Sequence, residues 1–340
     1  MLTKYSFLKI KLMMLLLRKG KLSLRKLYNM THCYVAYGLR LDRSGTAPIM
    51  INFELSNHCN ESCVFCRSKK GTIYDLNPAS SAKIIPKGSM KLPIYEQIIR
   101  QTKDSLLMAV PYVNGEPFIY KHLDDVLRIA RENRVGAIIS TNGLLLNETN
   151  INNILDNDLD LIKVHVSGYT TPIHQIQHRV GDVEKIKNNL RMLARKMKEK
   201  RARLLVLVDY ILYKHNRHEV ELFRQFADEH EFMFSTRPGN PLGMEGQEDP
   251  QPEKLATHIP CDFLWKGTTV NWNGDVLPCC DYVVWGNTDG YGRFEASETD
   301  FLKMWNGDKV IGMRRIHRTQ GRAPIPICSG CNRTGIEYKY

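Results

Sequence analysis

From residue 50 to about 237 the chain alternates short apolar runs with longer amphipathic stretches, and this alternation constrains the fold more than any other feature. The apolar runs predict strands at 50–55, 106–112, 136–141, 160–167, 204–212 and 231–236. The stretches between them predict helices, among them 93–104, 119–133, 182–199 and 216–229. The firmest is 182–199, where Val183, Ile186, Leu190 and Leu193 share one face and lysines occupy the other. Strands alternating with helices pair in parallel through crossover connections. Six such units imply an α/β architecture whose functional groups gather at the C-terminal ends of the strands.

Just after the first expected strand stand Cys59, Cys63 and Cys66, spaced C-x3-C-x2-C. Three thiolates can hold three irons of a [4Fe–4S] cube and leave the fourth open, whereas four-cysteine sites saturate their metal. The alternative is zinc, which favours C-x2-C pairs closed by a fourth Cys or His. His58 offers a fourth ligand, but it adjoins Cys59, and the same ion is awkward to reach from there.

The chain is long enough, at 340 residues, for one large domain and a smaller one. Its nine cysteines come without a secretory signal bearing a small-residue cleavage site. A disulfide framework is therefore not expected, and clustered cysteines in a reducing, cytoplasmic compartment read as metal ligands. The net charge of +12 is uneven: residues 1–50 hold ten Lys or Arg and a single acidic residue, Asp42. The rest is close to neutral and gives no argument for nucleic acid. The basic end contains Leu12-Met-Met-Leu-Leu-Leu17, too short to span a bilayer. It reads either as an amphipathic helix on an anionic membrane surface or as a helix packing its apolar stripe on the main domain.

Four regions follow. Residues 1–47 are a basic, partly helical extension, and 48–240 are the alternating body. The Gly/Pro-rich stretch that opens at Arg237-Pro-Gly-Asn-Pro leads into a linker, 241–260. The tail is 261–340. There Thr268–Trp272 and Asp275–Cys279 flank Asn273-Gly274, predicting a β-hairpin with a type I′ turn, and a short helix is expected near 299–305. Five cysteines lie in the tail: Cys261, Cys279, Cys280, Cys328 and Cys331.

The cysteine triplet, with the aromatic Phe65 just before its last member, resembles that of the radical S-adenosylmethionine (radical SAM) enzymes. The resemblance implies a partial (β/α)6 TIM-like barrel with SAM and a [4Fe–4S] cluster as cofactors. In that family the open iron chelates SAM, and reduction cleaves SAM to a 5′-deoxyadenosyl radical that abstracts a substrate hydrogen. Asn114-Gly-Glu-Pro117 resembles the family's Gly-Gly-Glu motif, with Asn114 replacing the first glycine. It implies close ligand approach at Gly115 and a bond from the SAM ammonium to Glu116. Ser140-Thr-Asn-Gly143 is a common form after the third strand, which brings in Thr141 and Asn142. Ser167 and Arg179 resemble the pair that binds the SAM carboxylate. Each motif also reads as an ordinary turn, helix cap or solvated charge. His165, His174 and His178, with Lys163, Asp209 and Tyr210, are further candidates around substrate. Cys33 reads as structural.

In the tail, C-x12-G-x4-C from Cys261 through Gly274 to Cys279 resembles the opening of the SPASM domain found behind such barrels. Only Cys328-x2-Cys331 continues it, the shortened version called a twitch domain. The resemblance implies that Cys261, Cys279, Cys328 and Cys331 hold a second, auxiliary [4Fe–4S] cluster; a zinc ribbon is the alternative. Cys280 is left over. It is either a small buried hydrophobe or a catalytic thiol returning a hydrogen atom to a substrate radical.

Members of this subgroup dehydrogenate, epimerise or modify ribosomally made peptides. Only 50 residues precede the barrel, too few for a peptide-recognition domain, so the expected substrate is a carbohydrate, an aminocyclitol or a similar polyol. A lipid-linked sugar would suit the basic end. Peptide modification is the runner-up, and an iron–sulfur electron carrier without SAM chemistry is the third reading. An external donor such as flavodoxin or ferredoxin is the expected reductant.

Overall fold

A computed structural model describes residues 4–64, 66, 86–240, 244, 246–247, 256–284 and 290–331. All six expected body strands are present: β1 (Met50–Phe53), β2 (Met108–Val110), β3 (Gly136–Thr141), β4 (Leu161–Val166), β5 (Leu205–Leu212) and β6 (Met233–Pro238). Each pairs in parallel with the next. Helices Leu92–Thr102, Leu123–Glu132, Val183–Lys200 and Val220–Glu229 fall where the periodicity put them. Asp182 caps Val183–Lys200, its side chain accepting from the Lys185 N–H at 3.1 Å. Two further helices, Glu148–Asp156 and Thr171–His178, lie in the crossovers. The first is short and polar, burying only Ile151 and Ile154, too few anchors for a period to show.

Parallel pairing keeps aligned residues on one face of the sheet. Val164, Val166, Val208 and Tyr210 face the helices in the main hydrophobic core. Lys163, His165 and Asp209, one residue out of phase, face the barrel interior, with His165 opposite Asp209 and Asp209 opposite Ser235.

The tail hairpin extends the same sheet. Strand β7 (Gly267–Val270) pairs in parallel with β1, and β8 (Asp275–Leu277) and β9 (Gly292–Arg293) follow antiparallel. The nine strands run β6-β5-β4-β3-β2-β1-β7-β8-β9, an open sheet rather than a closed barrel. The β7–β8 turn is not type I′. The Gly274 N–H donates to the Asn271 carbonyl at 2.9 Å. Gly274 has φ +92°, while Asn273 keeps a negative φ. That is a type I turn followed by a left-handed glycine, the three-residue hairpin loop. A side chain at Gly274 would lie 2.6 Å from the Phe294 carbonyl.

Helices α1 (Lys4–Arg18) and α2 (Leu24–Gly38) close the base of the barrel. Leu8 packs with Leu161 and Leu207, and Leu16 with Met108, at the N-terminal ends of the strands. Lys19 and Lys21 pair with Asp160, whose side chain is fully buried, and with Asp158. The inward stripe of the Leu12–Leu17 run is thus packed on the main domain. Among the described residues no helix is long and apolar enough to cross a membrane. Cys33 is buried in this base, as expected of a structural cysteine. Of the 241–260 linker, only 244, 246–247 and 256–260 are described.

Candidate active site

The three cysteines of the first group sit on the loop that leaves β1, at the C-terminal end of the sheet. The Cys66 N–H donates to the Cys63 carbonyl at 3.1 Å, closing one turn. Two nitrogen donors approach Cys59 Sγ: the Glu61 N–H at 3.4 Å and the Asn142 amide at 3.9 Å. Burial pushes the Cys59 thiol up to about 12, and burial followed by the charge of Glu61 pushes Cys63 well above the ordinary thiol value. Half-buried sulfurs set close to one another in this way are poor lone thiolates and are stabilised by a shared cation, the donor chemistry that iron requires. His58 Nδ1 lies 2.9 Å from Ser56 Oγ. Phe65 lies outside the described residues.

The loops after β2 and β3 join this group in one network. The Glu116 N–H donates to the His58 carbonyl at 2.8 Å. Gly115, with φ +74°, packs so tightly that a Cβ would lie 2.5 Å from the Ser56 carbonyl and 2.6 Å from that of His58. Its close approach is therefore to the cysteine loop. The buried Glu116 carboxylate accepts from Thr141 Oγ1 at 2.7 Å, the Asn142 N–H at 2.9 Å and the Phe118 N–H at 3.3 Å. Asn142 also donates to Asn60 at 2.8 Å. Burial still raises Glu116 to about 7, so its ionised form gains from a cation on the Oε2 lone pair these bonds leave over. That is the fit expected for a sulfonium amino acid's ammonium group.

Ser167 is fully buried. Its N–H donates to His174 Nδ1 at 3.2 Å and its hydroxyl to the His174 carbonyl at 3.4 Å. Arg179 ends the helix Thr171–His178 exposed, with φ +58°. The bonds described for Ser167 go to His174 and Asn216.

His174 and His178 are 0% and 3% exposed. Both are buried against Glu61, a residue the sequence did not single out. His178 Nδ1 lies 2.9 Å from Glu61 Oε2 and 3.4 Å from Cys63 Sγ. Burial would raise Glu61, but the two imidazoles outweigh it and bring it down to about 2. The His rings stack in parallel at 4.1 Å, and one ligand atom from each of Glu61, His174 and His178 lies within 4.8 Å of the other two. Glu54, another acid not anticipated, is buried and accepts from the Asn114 amide at 2.7 Å. A charged residue inside the apolar run Ile51–Leu55 was the signal for it.

Inside the barrel, Asp209 is the centre of a polar wall. Its carboxylate accepts from Arg237 Nε at 2.7 Å and Ser235 Oγ at 2.9 Å, and His165 Nδ1 is 3.0 Å away. Burial opposes its ionisation, but Arg237 and His165 prevail and hold it well below the carboxylate range. Burial lowers both His165 and Lys163, favouring their neutral forms. Tyr210 points instead into the helix-side core, its hydroxyl donating to the Asn216 carbonyl at 2.9 Å.

The tail cysteines gather beside the loop after β2. Cys279, Cys280 and Cys328 pack with Val113, Leu277 and Tyr282. Burial, then Asp281, Cys280 and Cys261, raise Cys279 well above the thiol range, and burial with Cys331 raises Cys328 to about 12. This second donor set meets the same test as the first. Cys280 opens the helix Cys280–Val284 within this group. None of the nine cysteines is in a disulfide.

The family model described as the radical SAM superfamily matches residues 53–227, and SPASM, an iron-sulfur cluster-binding domain, matches 261–332. No curated protein matches the chain closely enough to count as a relative. Among solved structures, BtrN in complex with AdoMet and 2-DOIA is 19% identical over 86% of this chain and 96% of that chain, with a TM-score of 0.54. Streptococcus suis SuiB bound to precursor peptide SuiA is 15% identical over 87% and 73%, with a TM-score of 0.63. Native anSMEcpe with bound AdoMet is 13% identical over 80% and 84%, with a TM-score of 0.53. At these identities the likeness shows the fold alone.

Proposed function

This chain belongs to the radical SAM superfamily, and from that premise we propose that it dehydrogenates or epimerises a small polyhydroxylated molecule of the carbohydrate or aminocyclitol type. Its cofactors are SAM and iron–sulfur clusters. In this reading Cys59, Cys63 and Cys66 hold the first cluster, and Cys261, Cys279, Cys328 and Cys331 the second. Glu116, oriented by Thr141 and Asn142, receives the SAM ammonium. When bound, SAM and the first cluster together supply a 5′-deoxyadenosyl radical that takes hydrogen from carbon, and the second cluster supplies a one-electron acceptor.

The observation that carries the substrate class is the wall of Lys163, His165, Asp209 and Arg237 inside the barrel. It offers charged and neutral hydrogen-bonding groups within one polar surface, suited to hydroxyl and amino substituents. Neutral His165, oriented by Asp209, accepts the proton of a hydroxyl as its carbon is oxidised. The likeness to BtrN, in complex with AdoMet and 2-DOIA, is compatible with this reading. The basic end lies at the base of the barrel, away from this wall, which argues against a lipid-linked sugar.

The test is turnover by the reduced, cluster-loaded enzyme with a panel of polyols and aminocyclitols in D2O. A dehydrogenated product, or an epimer carrying deuterium at one carbon, supports the reading. Modification of ribosomal precursor peptides alone would transfer the assignment to the peptide class, for which SuiB is the precedent. An external one-electron donor of the flavodoxin or ferredoxin type completes the proposal.

A further inference from the structure

We propose that the outer faces of α1 and α2 dock peripherally on an anionic lipid bilayer. The inner faces of both helices are spent on the base of the barrel. Leu8 and Leu16 of α1 pack under the strands. On α2, Asn29 donates to the Ala47 and Ser105 carbonyls, and Lys26 to that of Arg134, all just ahead of strands β1 to β3. The outer faces therefore point away from the sheet, on the side opposite the cysteine loop.

Those faces are apolar. On α1, Phe7, Ile10, Met14 and Leu17 are 53%, 43%, 49% and 63% exposed. Spacings of three, four and three place them on one stripe. On α2 and its cap, Leu24, Tyr28, Val35 and Leu39 are 84%, 72%, 46% and 67% exposed, spaced by four, seven and four. Among the described residues, ten of the fourteen exposed large apolar side chains lie between Phe7 and Leu41. Exposed apolar residues on a solvated surface are normally scattered singly, and a concentration of this kind marks an interaction face.

Charge selects the occupant. Residues 1–41 hold nine Lys or Arg and no Asp or Glu. Lys19 and Lys21 turn inward to Asp158 and Asp160. Lys11 lies 4.5 Å over the Phe7 ring, Arg18 is exposed beside the α1 stripe, and Arg25, exposed beside that of α2, pairs with the exposed Asp104. Apolar side chains bordered by cations match acyl chains beneath phosphate headgroups. A second copy would instead set like charges face to face. Docked by its base, the enzyme presents its cysteine loop to the aqueous phase, where reductant and a water-soluble substrate arrive.

The experiment is co-sedimentation of the anaerobically purified, cluster-loaded full chain with vesicles of phosphatidylglycerol and phosphatidylcholine, or of phosphatidylcholine alone. The expected result is pelleting with the mixed vesicles. It should weaken by roughly tenfold or more on pure phosphatidylcholine, and likewise for Ile10→Glu/Leu17→Glu and Lys11→Glu/Arg18→Glu. Ile10, Leu17 and Arg18 are exposed and Lys11 is half-buried, and both variants should keep wild-type iron content and melting temperature, so lost binding is not lost folding. The proposal is overturned if the wild type stays in the supernatant with the mixed vesicles. It is equally overturned if light scattering finds a dimer that Ile10→Glu/Leu17→Glu dissolves while vesicle binding persists, which would make the face a contact between copies.

Discussion

The Asn142 backbone N–H donates to Glu116 Oε2 across 2.9 Å, joining the loop after β3 to the loop after β2. Because the same asparagine's amide reaches Asn60, between Cys59 and Cys63, three sequence motifs become one rigid unit.

Replacing Glu116 by Gln should weaken SAM binding and cleavage together. The glutamine amide presents a donor to one of the N–H or O–H groups now held by the carboxylate, and the negative charge is lost. A charged hydrogen bond is worth about 2 kcal/mol, so SAM cleavage should fall by roughly thirtyfold with iron content unchanged. Quantifying 5′-deoxyadenosine and SAM affinity checks this; wild-type affinity in the variant would refute the role given to Glu116.

His165→Ala and Asp209→Asn should separate SAM cleavage from product formation. Neither residue lies in the cysteine or Glu116 network, so reductive cleavage should continue while substrate turnover falls by about a hundredfold, the usual scale of general-base catalysis. The ratio of 5′-deoxyadenosine to product reads the uncoupling. An unchanged ratio would remove the polar wall from the substrate site.

Buried Glu54 predicts a pH effect on stability. Burial raises it to about 7 from an ordinary value of 4.5, outweighing its bond from Asn114. Between those values the folded chain holds a proton that the unfolded chain releases, so this residue's contribution falls as pH rises through that window. Glu54→Gln should remove the loss, making the variant more stable than the wild type at pH 8 relative to pH 5 by up to about 3 kcal/mol. Denaturant melts at the two pH values give the comparison.

Asp160→Asn should destabilise the fold. Its side chain is fully buried, pairs with Lys19 and Lys21 and accepts from the Ala137 N–H at 2.8 Å. Removing this charge leaves the two buried ammonium groups with the partly exposed Asp158 as their carboxylate partner, at a cost of about 1.5–3 kcal/mol. A melting midpoint unchanged from wild type would show the α1–α2 base to be energetically idle.

The sequence made the sheet legible because β4 and β5 are rich in Leu, Ile and Val, broken only by Lys163, His165, Asp209 and Tyr210. It made the cysteine loop legible because Cys59, Cys63 and Cys66 are adjacent in sequence. The partnership of Glu61 with His178 was invisible, since 117 positions separate them and only the crossover helix brings them together. The Asn273-Gly274 pair misled as a type I′ signal because the strands end earlier than the apolar pattern does, leaving a longer loop. Lys163, His165 and Asp209 were legible as candidates, but their common wall follows only from strand register.

The most direct measurement is iron and sulfide per chain in anaerobically purified wild type and in a Cys59/Cys63/Cys66→Ala variant. Two cysteine groups each holding a cube predict about eight irons, falling to about four in the variant. About four irons falling to none, with zinc in the tail, would contradict the second cluster and with it the electron acceptor on which the dehydrogenase assignment depends.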